Sequence, residues 1–252
     1  MSDPRICIIG AGSLSTRRIY PYIGAAGGQL VGVCDLDLNK AQTNARRFGG
    51  TPYTDMTHML DEQMPDGVIV CVGPRYHAQL AIESLRRGYP TYTEKPPAMT
   101  AADTLKVARV AREKSLLCMT AFKKRYNVAY SRAKQFIEKF DPSDLYSISI
   151  DYCSKQYSNT TQEASFLFDF GIHVIDLVGY LFGAVASVFA FAKGPDAWAL
   201  SLRLANGAVG SLNLADGRSF TVPTEEVEIT IRGGNFMTIH NSSTWRITEG
   251  EK

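Results

Sequence analysis

The sequence predicts an α/β protein in two parts. A doubly wound parallel sheet comes first, and an α+β domain with a large, mostly antiparallel open sheet follows. Three observations carry this prediction. Through about residue 121, short apolar runs alternate with helical patterns, and continuous apolar strands interleaved with helices imply a parallel sheet covered on both faces. Beyond that point a strongly apolar helix precedes a succession of strand patterns, the order of an α+β domain. The tetrapeptides Ala205-Asn206-Gly207-Ala208 and Arg232-Gly233-Gly234-Asn235 also read as hairpin turns between those strands. The predicted domains are 1–121 and 122–252.

In chain order, "RICIIGAG" is a buried strand and residues 13–26 a helix. "QLVGVCD" is a second strand, and "LNKAQTNARRFG" a helix closed by Gly49. "GVIVCVG" is a third strong strand. In "YHAQLAIESLRRG", Ala78, Ala81, Ile82 and Leu85 recur at i, i+3, i+4 and i+7, the spacing of one helix face, and Gly88 stops it. "TYT" is a short strand. Thr100 and Asp103 have capping-box spacing, so a helix follows the Pro96-Pro97 pair, and "LLCMTAF" is the last strand of the half. Then come a helix over 126–139, the strand "LYSISIDYC" and the helix "ASFLFDFGIHVIDLVGYLFG". Six strands follow: "ASVFAFAK", "AWALSLRLANG", "AVGSLNLADG", "EEVEITIRGG", "NFMTIHN" and "TWRITE".

The 252 residues are 45% hydrophobic and 21% charged, with a net charge of +2, an ordinary globular composition. No basic block marks a nucleic-acid surface or a polybasic membrane anchor. No apolar run reaches the ~18 residues of a membrane span. The N-terminus enters a strand almost at once, so no signal peptide is expected and the chain reads as cytoplasmic. Cys7, Cys34, Cys71, Cys118 and Cys153 show no CxxC or zinc spacing. They read as small buried hydrophobes in a reducing compartment, and no metal is expected.

Gly10-Ala11-Gly12-Ser13-Leu14-Ser15 follows the first strand and opens a helix. A G-x-G turn in that position lets the backbone approach a pyrophosphate held at the helix N-terminus. Ser15 stands where Gly or Ala is usual. Asp35 closes the second strand at the distance expected of a ribose-binding acid. A carboxylate there repels a 2′-phosphate and favours NAD, with NADP the alternative. Asp37 adds to that preference. The competing reading is a tight turn, with Asp35 starting the loop and capping the next helix.

Asp169, His173 and Asp176 lie at i, i+4 and i+7 on an otherwise apolar helix, so they share a face. Polar groups on a buried face need partners or a site. One reading is a structural network in which Asp169 caps the helix and His173 pairs with Asp176. The other is a functional site.

Together these features resemble the GFO/IDH/MocA oxidoreductase family. The resemblance rests on "GAGSLS", "CDLD", "VGPRYH", "EKPPAMT" and "DFGIHVIDLVGYLFG" in that order, and it covers essentially the whole chain. It implies a Rossmann domain followed by the family's open-sheet domain, and homo-oligomers (dimers or tetramers) built through that sheet. In the family, Glu94-Lys95-Pro96 ends a Rossmann strand facing the nicotinamide, often with a cis Lys–Pro bond. The lysine binds the substrate oxygen. By the same resemblance His173 is the general acid/base, Asp169 its polar partner, and Lys95, Asp169 and His173 together bind substrate. Gly10, Gly12, Ser13, Leu14, Asp35, Val72, His77, Glu94 and Lys95 would hold or line the cofactor. The substrate would be a sugar, cyclic polyol or related small molecule, oxidised or reduced at CH–OH. Two alternatives within the family are a glycosidase that uses NAD transiently and a non-catalytic dinucleotide sensor. Tyr152, Tyr157 and Arg125 are further candidates for the cleft. His58 and His240 are expected to have no role.

The chain departs from the family in three places. "EASFLFD" is bulkier than the small residues usual before the Asp-x3-His helix, and "FDPSDLYSIS" lacks a customary glycine. Relatives continue past the equivalent of Lys252, so a shortened member is expected, or a truncated chain, or one that completes its domain by oligomerising.

Overall fold

A computed structural model describes residues 2–155, 166–218 and 222–250. The chain divides into two compact units, Met1–Ala121 and Phe122–Lys252.

In the first unit, β1 (Arg5–Ile9), β2 (Gln29–Cys34), β3 (Thr51–Tyr53), β4 (Gly67–Val70), β5 (Thr91–Thr93) and β6 (Cys118–Thr120) form one sheet. Its order is β3-β2-β1-β4-β5-β6, and every pair is parallel. Alternate residues of the strands feed two cores. Cys7, Ile9, Val31, Val68 and Val70 pack with Met59 and Leu60 of α3 (Met56–Gln63). Ile8 and Val33 pack with Ala41 and Ala45 of α2 (Leu38–Phe48) and with Tyr20. A third cluster joins Ala81 and Leu85 of α4 (Pro74–Arg86) to Val107, Val110 and Ala111 of α5 (Ala101–Glu113). Each buried Leu, Ile or Val contributes about 1.5–3 kcal/mol. This two-sided burial explains why the strands read as unbroken apolar runs.

Two features of this unit differ from the sequence reading. The helix expected over 13–26 ends early: α1 is Ser13–Arg18, and a 3₁₀ turn, Tyr20–Tyr22, follows with Pro21 inside it. Proline has no N–H for a continuing α-helix to use. Second, β3 and α3 were not anticipated. A three-residue strand containing Pro52 has little alternation to read, and α3 is announced chiefly by its cap, Asp55, which accepts from the His58 amide at 2.7 Å.

In the second unit, β7 (Leu145–Ser154), β8 (Val185–Lys193), β9 (Ala197–Leu204), β10 (Val209–Asp216), β11 (Thr224–Ile231), β12 (Asn235–His240) and β13 (Thr244–Thr248) form the second sheet. Its order is β13-β12-β11-β7-β10-β9-β8. The β7–β10 pair is parallel and the others are antiparallel. One face is covered by α6 (Val128–Ile137) and α7 (Ile172–Phe182). Tyr130 and Phe136 of α6 and Val174, Leu177 and Leu181 of α7 meet Ile148, Ile150, Leu212, Leu214, Val227 and Ile229. At the far edge all nine residues of β8 are exposed.

Candidate functional site

Parallel register puts the strand ends of the first unit in a row. Ile9 pairs with Cys34 and Val70, and Val70 with Thr93. The next residues are therefore neighbours at the carboxyl edge. Gly10 donates to the Cys34 carbonyl at 2.7 Å, Cys71 to Ile9 at 2.8 Å and Glu94 to Val70 at 2.9 Å. β1 and β4 are adjacent although connections leave them in opposite directions, so the row spans the switch point of the sheet, where open α/β sheets bind ligands.

The glycine loop is fixed from below on all sides. Gly10 has φ +109°, and a Cβ on it would lie 2.0 Å from the Cys71 carbonyl oxygen, which excludes other residues. Tyr20, buried at the 3₁₀ turn, donates its hydroxyl to the Gly10 carbonyl at 3.0 Å. The Ala11 amide donates to Asp35 Oδ2 at 2.7 Å, and the Asp37 amide to Asp35 Oδ1 at 3.0 Å. Thr16 donates to Asn44 Oδ1 at 2.9 Å, and the Asn44 amide reaches the Ala11 carbonyl at 3.4 Å. Ser15 is buried with its hydroxyl on the Gly12 carbonyl at 3.0 Å, so serine serves where a smaller residue is usual. Tyr20 and Asn44 escaped the sequence reading because each meets the glycine loop only through the fold, Tyr20 at the Gly10 carbonyl and Asn44 at Thr16 and the Ala11 carbonyl.

These residues fit a dinucleotide. A Cβ on Gly12 would meet nothing within 4 Å, leaving the space above the loop open to a pyrophosphate. Ser13 and Leu14 are exposed in the first turn of α1, where amide N–H groups have no intrahelical acceptor. Asp35 is anchored by two amides, yet a carboxylate accepts about four hydrogen bonds, so capacity for ribose hydroxyls remains.

The Lys95–Pro96 peptide is cis. Pro96 is buried, while Glu94 and Lys95 are half-buried, and the Lys95 amide donates to Glu94 Oε2 at 3.0 Å. His77, in the first turn of α4, is buried, with Nδ1 2.7 Å from the Pro96 carbonyl and Nε2 3.0 Å from the Val72 carbonyl. Val72 is half-buried at the end of β4.

In the second unit, Asp169 lies in a π-helical turn, Leu167–Gly171, that runs into α7. Such turns recur at functional positions. His173 is buried, with the Phe122 ring edge-on at 6.4 Å. Asp176 engages Arg125: two hydrogen bonds, of 2.9 and 2.5 Å, bind the carboxylate to the guanidinium. Arg125 thus ties α7 to the 3₁₀ turn Lys123–Tyr126. Tyr152 is buried in the core, 6.0 Å from Phe166 between ring centres, and Tyr157 lies outside the described residues. His58 and His240 are exposed beside Glu62 and Glu226, at 3.4 and 3.8 Å. All five cysteines are free thiols, and Cys7, Cys34 and Cys71 are buried, which pushes each thiol up to about 12. Among the described residues, no group of three or more His, Cys, Asp and Glu is placed to hold a metal, and no helix is long and apolar enough to cross a membrane.

A parallel sheet with a glycine turn and an acid at its switch point, followed by an open sheet backed by helices, defines a class of two-part proteins built on a nucleotide-binding fold. The chain belongs to the GFO/IDH/MocA family. Residues 4–122 match the model of the oxidoreductase family's NAD-binding Rossmann fold, and residues 130–237 that of the GFO/IDH/MocA C-terminal domain. The chain is 29% identical over 201 residues to D-glucoside 3-dehydrogenase of Escherichia coli strain K12, covering 75% of this chain and 57% of that enzyme. It is 25% identical over 239 residues to inositol 2-dehydrogenase 2 of Paenarthrobacter aurescens, covering 91% and 70%. Most such matches span a little over half of the relative's length. The fold is that of the WlbA dehydrogenase from Bordetella pertussis, solved with NADH and UDP-GlcNAcA, at 20% identity and TM-score 0.86, covering 99% of this chain and 82% of that one.

Proposed function

We propose that the chain is an NAD-dependent oxidoreductase that moves hydride between nicotinamide and a secondary alcohol or carbonyl of a sugar, cyclic polyol or related small molecule. The observation that carries this is the row formed by Gly10, Asp35 and the Glu94-Lys95-Pro96 corner at one carboxyl edge. The names of the similar dehydrogenases, which act on glucosides and inositol, support the substrate class. Bound nicotinamide supplies the hydride acceptor or donor. Gly10, Gly12, Ser13 and Leu14 receive the pyrophosphate, and Asp35 takes the ribose hydroxyls and disfavours a 2′-phosphate. Val72 and Glu94 border the cofactor, while His77, expected to line it as well, is buried and can act only through the residues it holds. Lys95 steadies the oxygen on which charge develops, and His173 exchanges the hydroxyl proton with Asp169 as its polar partner.

A fluorescence titration with NADH and NADPH tests the cofactor. Saturable NADH binding, tighter than NADPH, is expected; binding of neither would remove the reading. With a substrate in hand, Lys95→Ala and His173→Ala should each lower kcat by about 10²-fold or more. Unchanged turnover in Lys95→Ala would refute its role. Glycoside cleavage without net NADH would identify the glycosidase of the family, and NADH binding without turnover of any alcohol a sensor.

The partner is a small molecule, and a cytoplasmic setting suits five free thiols. Cell fractionation that recovers the protein outside the cytoplasm would contradict that setting. We also infer a homo-oligomer through the second sheet. Phe189 and Phe191 of the β8 edge are 62% and 70% exposed, and an exposed apolar edge strand invites pairing. A monomer in light scattering at micromolar concentration would exclude it.

A further inference from the structure

We propose that His77 is a positioning residue that sets the Lys95 corner against the end of β4. The inference rests on the role given to Lys95 above. His77 is 1% exposed, and both of its ring nitrogens face backbone carbonyls, Pro96 at 2.7 Å and Val72 at 3.0 Å. Neither carbonyl belongs to its own helix, so the ring does not serve α4. It joins two loops that leave adjacent parallel strands, β4 and β5.

The corner needs such a donor. Pro96 and Pro97 bring no backbone N–H, so the chain just after Lys95 cannot tie itself down through its own amides. A carbonyl buried beside them must find a donor elsewhere. His77 supplies one to Pro96 while the same ring meets Val72. Each ring nitrogen lies within hydrogen-bond distance of one of the two carbonyls, and the tautomer decides which of them receives the N–H. The distance between the Val72 loop and the corner is thus set by the width of one imidazole. Buried, with both nitrogens against backbone carbonyls, the ring is a spacer; it presents no nitrogen outward to a ligand.

A displacement of about 1 Å at a catalytic group costs roughly 10²-fold in rate. His77→Leu, which keeps bulk and loses both ring nitrogens, is therefore expected to lower kcat by about 10- to 100-fold, while the dissociation constant for NADH changes less than about threefold. Adding His77→Leu to Lys95→Ala should cost little beyond Lys95→Ala alone, because the two changes remove one function. His77→Gln, which keeps an amide donor, should restore part of the rate. Hydrogen–deuterium exchange needs no substrate: the peptide spanning 94–99 should exchange faster in His77→Leu than in wild type, with β1 and β2 unchanged. The proposal is overturned if exchange at 94–99 is unaltered. It is also overturned if the two losses are fully additive with exchange raised throughout the unit, the mark of a residue that only stabilises the fold. A wild-type protein that turns over no alcohol would defeat the reading of Lys95 but leave the exchange experiment to decide the clamp.

Discussion

A methyl group on Gly10 would sit 2.0 Å from the Cys71 carbonyl oxygen, on a residue with φ +109°, whereas one on Gly12 would meet nothing within 4 Å. The two glycines of one motif therefore do different work. Gly10 is required by the neighbouring strand, whereas the space beside Gly12 is open. Gly10→Ala should destabilise the first unit by about 3 kcal/mol or more, through strain and a backbone clash. Gly12→Ala should leave stability within about 0.5 kcal/mol and weaken NADH binding about tenfold or more by occupying the pyrophosphate's space. Thermal melts paired with NADH titration separate the two, and a Gly12→Ala protein that binds NADH normally would contradict the assignment. This split was not legible in the sequence. G-x-G spacing identifies the turn, but which glycine is pressed against β4 depends on the register of β1 with a strand some sixty residues away. For the same reason Gly10, Asp35 and Lys95 could be singled out by type and spacing, while Tyr20 and Asn44 could not.

Among elements, the turn Lys123–Tyr126 is held by a buried charge network. Lys124 Nζ lies 2.5 Å from both oxygens of Glu225, which also accepts from Tyr130 and, at 2.7 Å, from Ser242. The network joins that turn and α6 to β11 and to the β12–β13 connection. Glu225→Ala would strand the Lys124 ammonium in the core and should cost about 3–5 kcal/mol, read as a lower urea midpoint. Lys124→Met with Glu225→Leu should recover most of that loss; a double variant as unstable as the single would show that the pair itself is needed. The elements that periodicity and caps define were readable beforehand. In α5, Thr100 accepts from the Asp103 amide at 3.1 Å, half of the predicted capping box, while the Thr100 hydroxyl donates to the Asp103 carboxylate at 2.8 Å. The π-helical turn ahead of α7 was not readable, because its apolar pattern is continuous with the helix and the change is one of backbone pairing. Asp176 went to Arg125 rather than to His173, a partnership between segments about fifty residues apart that spacing along one helix cannot reveal.

Across the whole molecule, burial holds the thiols of Cys7, Cys34 and Cys71 up from 9.0 to about 12. Tyr20 and Tyr130 are raised above their ordinary value by burial as well. Each thiol stays protonated in the native fold while its unfolded counterpart ionises near 9.0. Their contribution to stability is therefore complete below pH 9 and lost as the pH rises toward 12. Lys124, lowered by burial, works in the opposite sense as one group against these five. The melting temperature should be flat from pH 7 to 8.5 and fall by about 5 °C or more by pH 10.5; a melting temperature that held steady through pH 10.5 would refute this. The parallel β7–β10 pair carries a different consequence, for how the protein is made. β7 lies mid-sheet, yet the strands that flank it follow about 60 to 80 residues later. At a ribosome adding roughly 5–20 residues each second, the nascent chain holds its future central strand with both sides bare for several seconds. Vectorial synthesis thus delays completion of the second sheet, whereas β1 of the first unit gains β2 as a partner after some two dozen residues.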